Sequence, residues 1–202
     1  MELLMRSLTV ILVVLIAKSC NVKTDEDFKF PDALIPIDEK CDLNKFQSHQ
    51  NDNFGFRIEY PACWVVPEDQ KGRIFYAHEV HNSKLDVRTN VDIYITDSSE
   101  TMSLNNFVDS MILDWQNGND IYSSVNILSK ESSQVQGYDC IKILAEGNST
   151  SYGKEFEIKW KKSVFKRDEY IYELTSTSSK IKFDTSQVLI NRIFDSFELF
   201  DL

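Results

Sequence analysis

Apolar residues return at every second position in run after run of this chain, and that alternation restricts it to strands with one buried face each. Phe54, Phe56, Ile58 and Tyr60 alternate with Gly55, Arg57 and Glu59 until Pro61, which cannot donate to a ladder. Val87, Thr89, Val91, Ile93 and Ile95 alternate with Arg88, Asn90, Asp92 and Tyr94, and Arg73 to Val80 makes a further candidate strand between these two. Ser124 to Gln134 turns near Gly137 into Tyr138 to Glu146. The turn-rich segment Gly147 to Ser151 leads to Lys154 to Lys166, and a tight turn at Arg167-Asp168 leads to Glu169 to Thr177.

The period changes twice. Leu104, Phe107, Met111, Ile112 and Trp115 lie three or four apart, with Ser103 placed to cap and Gly118 just past the end, which predicts an amphipathic helix. Asp184-Thr185-Ser186-Gln187 reads as a capping box that starts a second helix carrying Leu189, Ile190, Ile193 and Phe194. Phe197 and Leu199 end the core. Seven strands with hairpin-length links form an antiparallel sheet, and two amphipathic helices must bury their stripes on it. The expected class is therefore α+β.

The N-terminus reads as an address. Residues 8–17 are an uncharged apolar run behind Arg6, shorter than the roughly 20 residues needed to span a bilayer. Residues 1–19 thus read as a secretory signal whose small-residue exit leaves Cys20 first. Ser19 before Cys20 resembles a bacterial lipoprotein signal, which implies a lipid on the Cys20 thiol. Residues 20–50 hold prolines, acids and lysines without a period and read as an acidic tether, with a domain over 51–202. Phe28, Phe30, Leu34, Ile35 and Ile37 give one piece of that tether a means of lying on the domain.

Charge excludes one partner class. The chain carries a formal −10; residues 1–19 hold Arg6, Lys18 and Glu2, so 20 basic and 31 acidic residues remain after cleavage, net −11. Such a surface repels phosphate backbones, so nucleic acid is not an expected partner.

Few residues can carry chemistry. The three histidines are His49, in the tether, and His78 and His81. His78 and His81 are the one metal-like pair, but residues three apart on a strand face opposite ways unless the chain turns between them. The glycines are scattered, with no nucleophile elbow or phosphate-cradling loop. No catalytic residue and no cofactor is expected. Asn148-Ser149-Thr150 fits a glycosylation triplet, and Trp64, Trp115 and Trp160 read as core. With Cys20 acylated, Cys41, Cys63 and Cys140 allow at most one disulfide within the chain, and the sequence leaves Cys41–Cys63, Cys63–Cys140 and three reduced thiols open.

Phe54-Gly55-Phe56-Arg57-Ile58-Glu59-Tyr60-Pro61-Ala62-Cys63-Trp64 resembles the opening of PsbP-like proteins, in which an aromatic strand runs into Tyr-Pro-x-Gly-Trp; Cys63 here replaces the glycine. The end of the second helix, Ile193-Phe194-Asp195-Ser196-Phe197, resembles that family's last helix. The resemblance covers Phe54 to Leu199. It implies an α/β/α sandwich with an antiparallel sheet of six to seven strands, and binding or assembly work without catalysis. The signal peptide argues against the family's nuclear Ran-binding branch.

The expected function is that of a non-enzymatic cell-envelope protein, anchored to a membrane by its N-terminal lipid and binding or helping to assemble a membrane-associated protein complex. The alternatives are a secreted module for a small ligand or metal, a photosystem II accessory protein if the source is photosynthetic, and a hydrolase working through a carboxylate pair.

Overall fold

The computed structural model describes residues 41–80, 87–98, 102–118, 122–151 and 154–201. Cys20, the signal, the tether up to residue 40 and His81 lie outside the described residues.

The alternating runs become two antiparallel sheets. The large one has six strands in the order β3 (Phe75–His78), β4 (Asn90–Asp97), β8 (Tyr170–Ser179), β7 (Lys154–Arg167), β6 (Tyr138–Ser151) and β5 (Tyr122–Val135). The small one has the order β1 (Phe46–Asn51), β2 (Phe56–Pro61) and β9 (Glu198–Leu199). Helix α1 (Leu104–Gln116) starts at Ser103, whose side chain accepts from the Asn106 N–H at 3.1 Å. It ends at Asn117, followed by Gly118 at φ +78°, a conformation that favours glycine. Helix α2 spans Lys180–Asp195. The result is the α+β sandwich that the alternation predicts.

The period of two gives the large sheet two buried faces. On β6, Cys140 faces one core, while Ile141, Ile143 and Ala145 face the other. The first core joins Phe75, Val91, Ile93, Phe165, Tyr172 and Leu174 to the small sheet and to Ile193 of α2. The second joins Ile158, Trp160, Val164 and Ile171 to Leu104, Val108 and Trp115 of α1. Trp160 is fully buried, with Tyr122 stacked on it at 4.9 Å and Trp115 edge-on at 5.6 Å.

Three expectations need correction. The tether does not extend to Gln50, because Phe46–Asn51 is β1, paired along its whole length with β2. Phe46 is held there by the Arg192 guanidinium, 3.6 Å over its ring. The second helix begins at Lys180 rather than at the Asp184 capping box. Phe183, buried in the first turn, fixes its start as the chain leaves the sheet after Ser179. Asp184 instead accepts from Lys159 at 2.8 Å. The segment Gly147 to Ser151, expected as a turn, is the end of β6, with Asn148 paired to Ser124 on one side and Glu157 on the other.

Candidate functional site

On the α1 side of the large sheet the helix packs over β5, β6 and β7. On this side the β8, β4 and β3 half carries polar side chains that are themselves buried, with Asp92 and Thr175 8% and 6% exposed. Strand register arranges these in rows across the sheet. One row runs Tyr76, Asp92, Thr175, Lys162 and Ile143; the next runs Tyr94, Glu173, Val164 and Ile141. The open half is therefore polar where the α1-covered half is aliphatic.

Its charges pair with one another. Lys162 Nζ meets Glu173 Oε2 at 2.6 Å, and both side chains are nearly buried. Arg73 Nε lies 3.9 Å from Asp92 Oδ2, with its guanidinium over the rings of Tyr76 (4.6 Å) and Tyr94 (5.6 Å). The Lys162 ammonium sits 5.6 Å from the Trp115 ring. Two cations and two carboxylates in one partly dry place need this pairing, since an unpaired buried charge is costly.

The same burial moves proton affinities. The Asp92 carboxyl is pushed up to about 6 by burial, against the pull of Lys162 and Arg73. The Tyr122 hydroxyl is pushed up to about 12, again by burial, with Asp92 adding to it. The cluster thus remains a proton-sensitive ionic platform walled by aromatic rings. Next to it, a cleft of about 420 Å³ opens between α1 and the ends of β4 and β8, with Phe107, Met111, Thr96 and Ile171 in its lining.

The sequence candidates lie elsewhere. His78 is buried at the end of β3; its Nδ1 is 2.9 Å from the Glu79 carbonyl oxygen and 3.5 Å from the Arg88 guanidinium. Burial, helped by Arg88, lowers its proton affinity even though the Glu79 carbonyl raises it. His49 lies in β1, stacked on Phe75 at 4.6 Å. Among the described residues, no three His, Cys, Asp or Glu side chains gather as a metal set. Cys41 and Cys63 are joined in a disulfide, with Cα atoms 5.5 Å apart, where β1 and β2 begin and end. Cys140 is a buried thiol whose proton burial holds on more tightly. Trp64, Trp115 and Trp160 are all buried.

Sequence reading missed the ionic platform. Its members, Arg73, Asp92, Lys162 and Glu173, come from four strands or their flanks, and Lys162 stands on the same face of β7 as Ile158, Trp160 and Val164. Only the pairing register brings them together. A weak signal was available: on a strand with both faces covered, a polar beat without a helix opposite it has to find partners within the sheet.

These two sheets and two helices define a PsbP-like fold. The chain superposes on cyanobacterial PsbP (CyanoP) from Synechocystis sp. PCC 6803 with a TM-score of 0.58 at 13% identity, over 77% of this chain and 92% of that one. LpqN of Mycobacterium tuberculosis, described as involved in cell envelope biogenesis, matches with a TM-score of 0.54 at 10% identity, over 78% and 93%. A Pseudomonas aeruginosa protein of unknown function, described as a putative regulator, matches at 0.53 and 10% identity, over 78% and 99%. No family model matches the sequence, and no curated protein matches it.

Proposed function

We propose that this chain is an exported, lipid-anchored protein of a bacterial cell envelope that binds a membrane-associated protein complex and performs no catalysis. The observation that carries this reading is the open half of the large sheet. Tyr76, Tyr94 and Glu173 are partly exposed there around a buried charge-paired centre, beside a cleft, with the makings of a contact face rather than of a reaction site. Fold alone does not fix function, but the company it keeps supports the reading: LpqN is described as involved in cell envelope biogenesis, and CyanoP is a cyanobacterial PsbP. The N-terminal address adds the membrane, with the signal over 1–19, the lipid on Cys20 and a tether that ends before β1. No cofactor enters this account. The acidic surface leaves nucleic acid out.

The test is native electrophoresis of membranes from cells that produce the protein, after mild crosslinking. The reading expects the chain in an assembly well above its own 23.5 kDa, lost when Tyr94 is changed to alanine. Migration at its own mass in every preparation contradicts it.

A further inference from the structure

Three features of the open half meet at one end of β4. Strand β3 pairs with Asn90 to Ile93 only, so the outer edge of Tyr94 to Asp97 has no strand partner among the described residues. On that side the Ile93 carbonyl accepts from the Ile74 N–H at 2.9 Å, and the alternation of an antiparallel ladder turns the backbone groups of Ile95 and Asp97 the same way. Without a strand partner among the described residues, these groups form a template for one more strand. Beside that edge lies the cleft under the flank of α1, with Met111 and Phe107 as adaptable apolar walls. Ser98, 7% exposed and lining the same cleft, holds its Oγ buried without a hydrogen-bond partner.

Charge selects what fits. Asp97 lines the cleft, α1 carries no basic residue, and the chain carries a formal −10. We propose that the Tyr94–Asp97 edge and the adjoining cleft take an extended segment of a protein partner in which apolar and basic residues alternate. The segment adds a strand to β4 through main-chain hydrogen bonds. Its apolar side chains, two residues apart, drop on the α1 side into the cleft, and its lysines or arginines, on the opposite face, meet Asp97 at the end of β4. This rests on the reading of the chain as a binding protein and says where and what it binds.

The probe is a short capped peptide alternating leucine and lysine, titrated into the isotope-labelled mature protein and followed by amide NMR. The expected result is that the amides of Ile95, Asp97 and Met111 shift together and that exchange of the Ile95 amide with solvent slows. Ser110→Trp keeps the charge, sits on the exposed flank of α1 and fills the cleft, so it weakens binding about tenfold or more. Asp97→Lys weakens it as well, while a peptide of the same composition with its leucines and lysines in separate blocks does not bind. The proposal is overturned if the shifts map to β5 or α2, if Ser110→Trp binds as the parent does, if the blocked peptide binds equally, or if no peptide shifts these amides. Retention of the membrane assembly by Ser110→Trp would place the partner on another face and leave the functional reading intact, whereas absence of any assembly would remove that reading.

Discussion

Single residues set the tolerances of this fold. Gly147 lies within β6 where β5 is bulged near Tyr122, and a Cβ built there would stand 2.0 Å from the Ser124 carbonyl oxygen and 3.1 Å from its carbon. The close approach of two backbones, rather than a turn, requires this glycine. Gly147→Ala is expected to push β5 away and cost about 1–3 kcal/mol; denaturant unfolding gives the cost, and faster amide exchange along β5 locates it. Asp92 sets a pH response. Its carboxyl titrates near 6 in the fold against 3.8 in a model peptide, so the folded state holds its proton more tightly. The stability tied to this group is fully present below about pH 4 and is lost as pH rises through 6, about 3 kcal/mol at most. Asp92→Asn removes that contribution. The difference in unfolding free energy between variant and parent should grow in the variant's favour from pH 4 to 7, and a difference flat across that range contradicts the assignment. The Cys41–Cys63 bond closes a loop of 22 residues in separation, which stabilises by roughly 3 kcal/mol on loop-closure grounds and ties the start of the described chain to the end of β2.

Elements show which parts of the fold a sequence can reveal. The alternation of Val87 to Thr96 and of Phe156 to Trp160 marks β4 and β7, and the three-and-four spacing from Leu104 to Trp115 marks α1, because each pattern reports a face that must be buried. β1 escaped notice: it is an edge strand whose half-buried residues, Phe46 and His49, lie three apart and therefore on opposite faces, so no period of two marks it. The start of α2 was misplaced because the capping signal at Asp184 competes with a stronger constraint, the burial of Phe183 one residue earlier. The ionic platform was not legible, since it depends on register across four strands rather than on spacing within one. That register carries its own prediction. Lys162→Ala leaves Glu173 buried without its cation and should cost about 3–5 kcal/mol, whereas Lys162→Met combined with Glu173→Leu should restore most of the loss. A thermal-melt double-mutant cycle decides this, and additive losses would mean that the pair is not coupled.

At the scale of the whole molecule, one sheet serves two purposes. Its α2 face is sealed by helix and small sheet into the larger core, and half of its α1 face is left to charged and aromatic side chains beside a cleft. On the proposed reading of an exported, tethered domain, partners are met at that half, which is where the functional reading and the strand-addition proposal converge. The anchor is the central claim, because it decides whether the partner is sought at a membrane at all. The most direct measurement is to produce the precursor in a bacterial host fed a radioactive fatty acid, beside its Cys20→Ala variant. The account predicts label on the parent, recovered with the membranes, and none on the variant. Equal absence of label from both, with the protein released in soluble form, would contradict it.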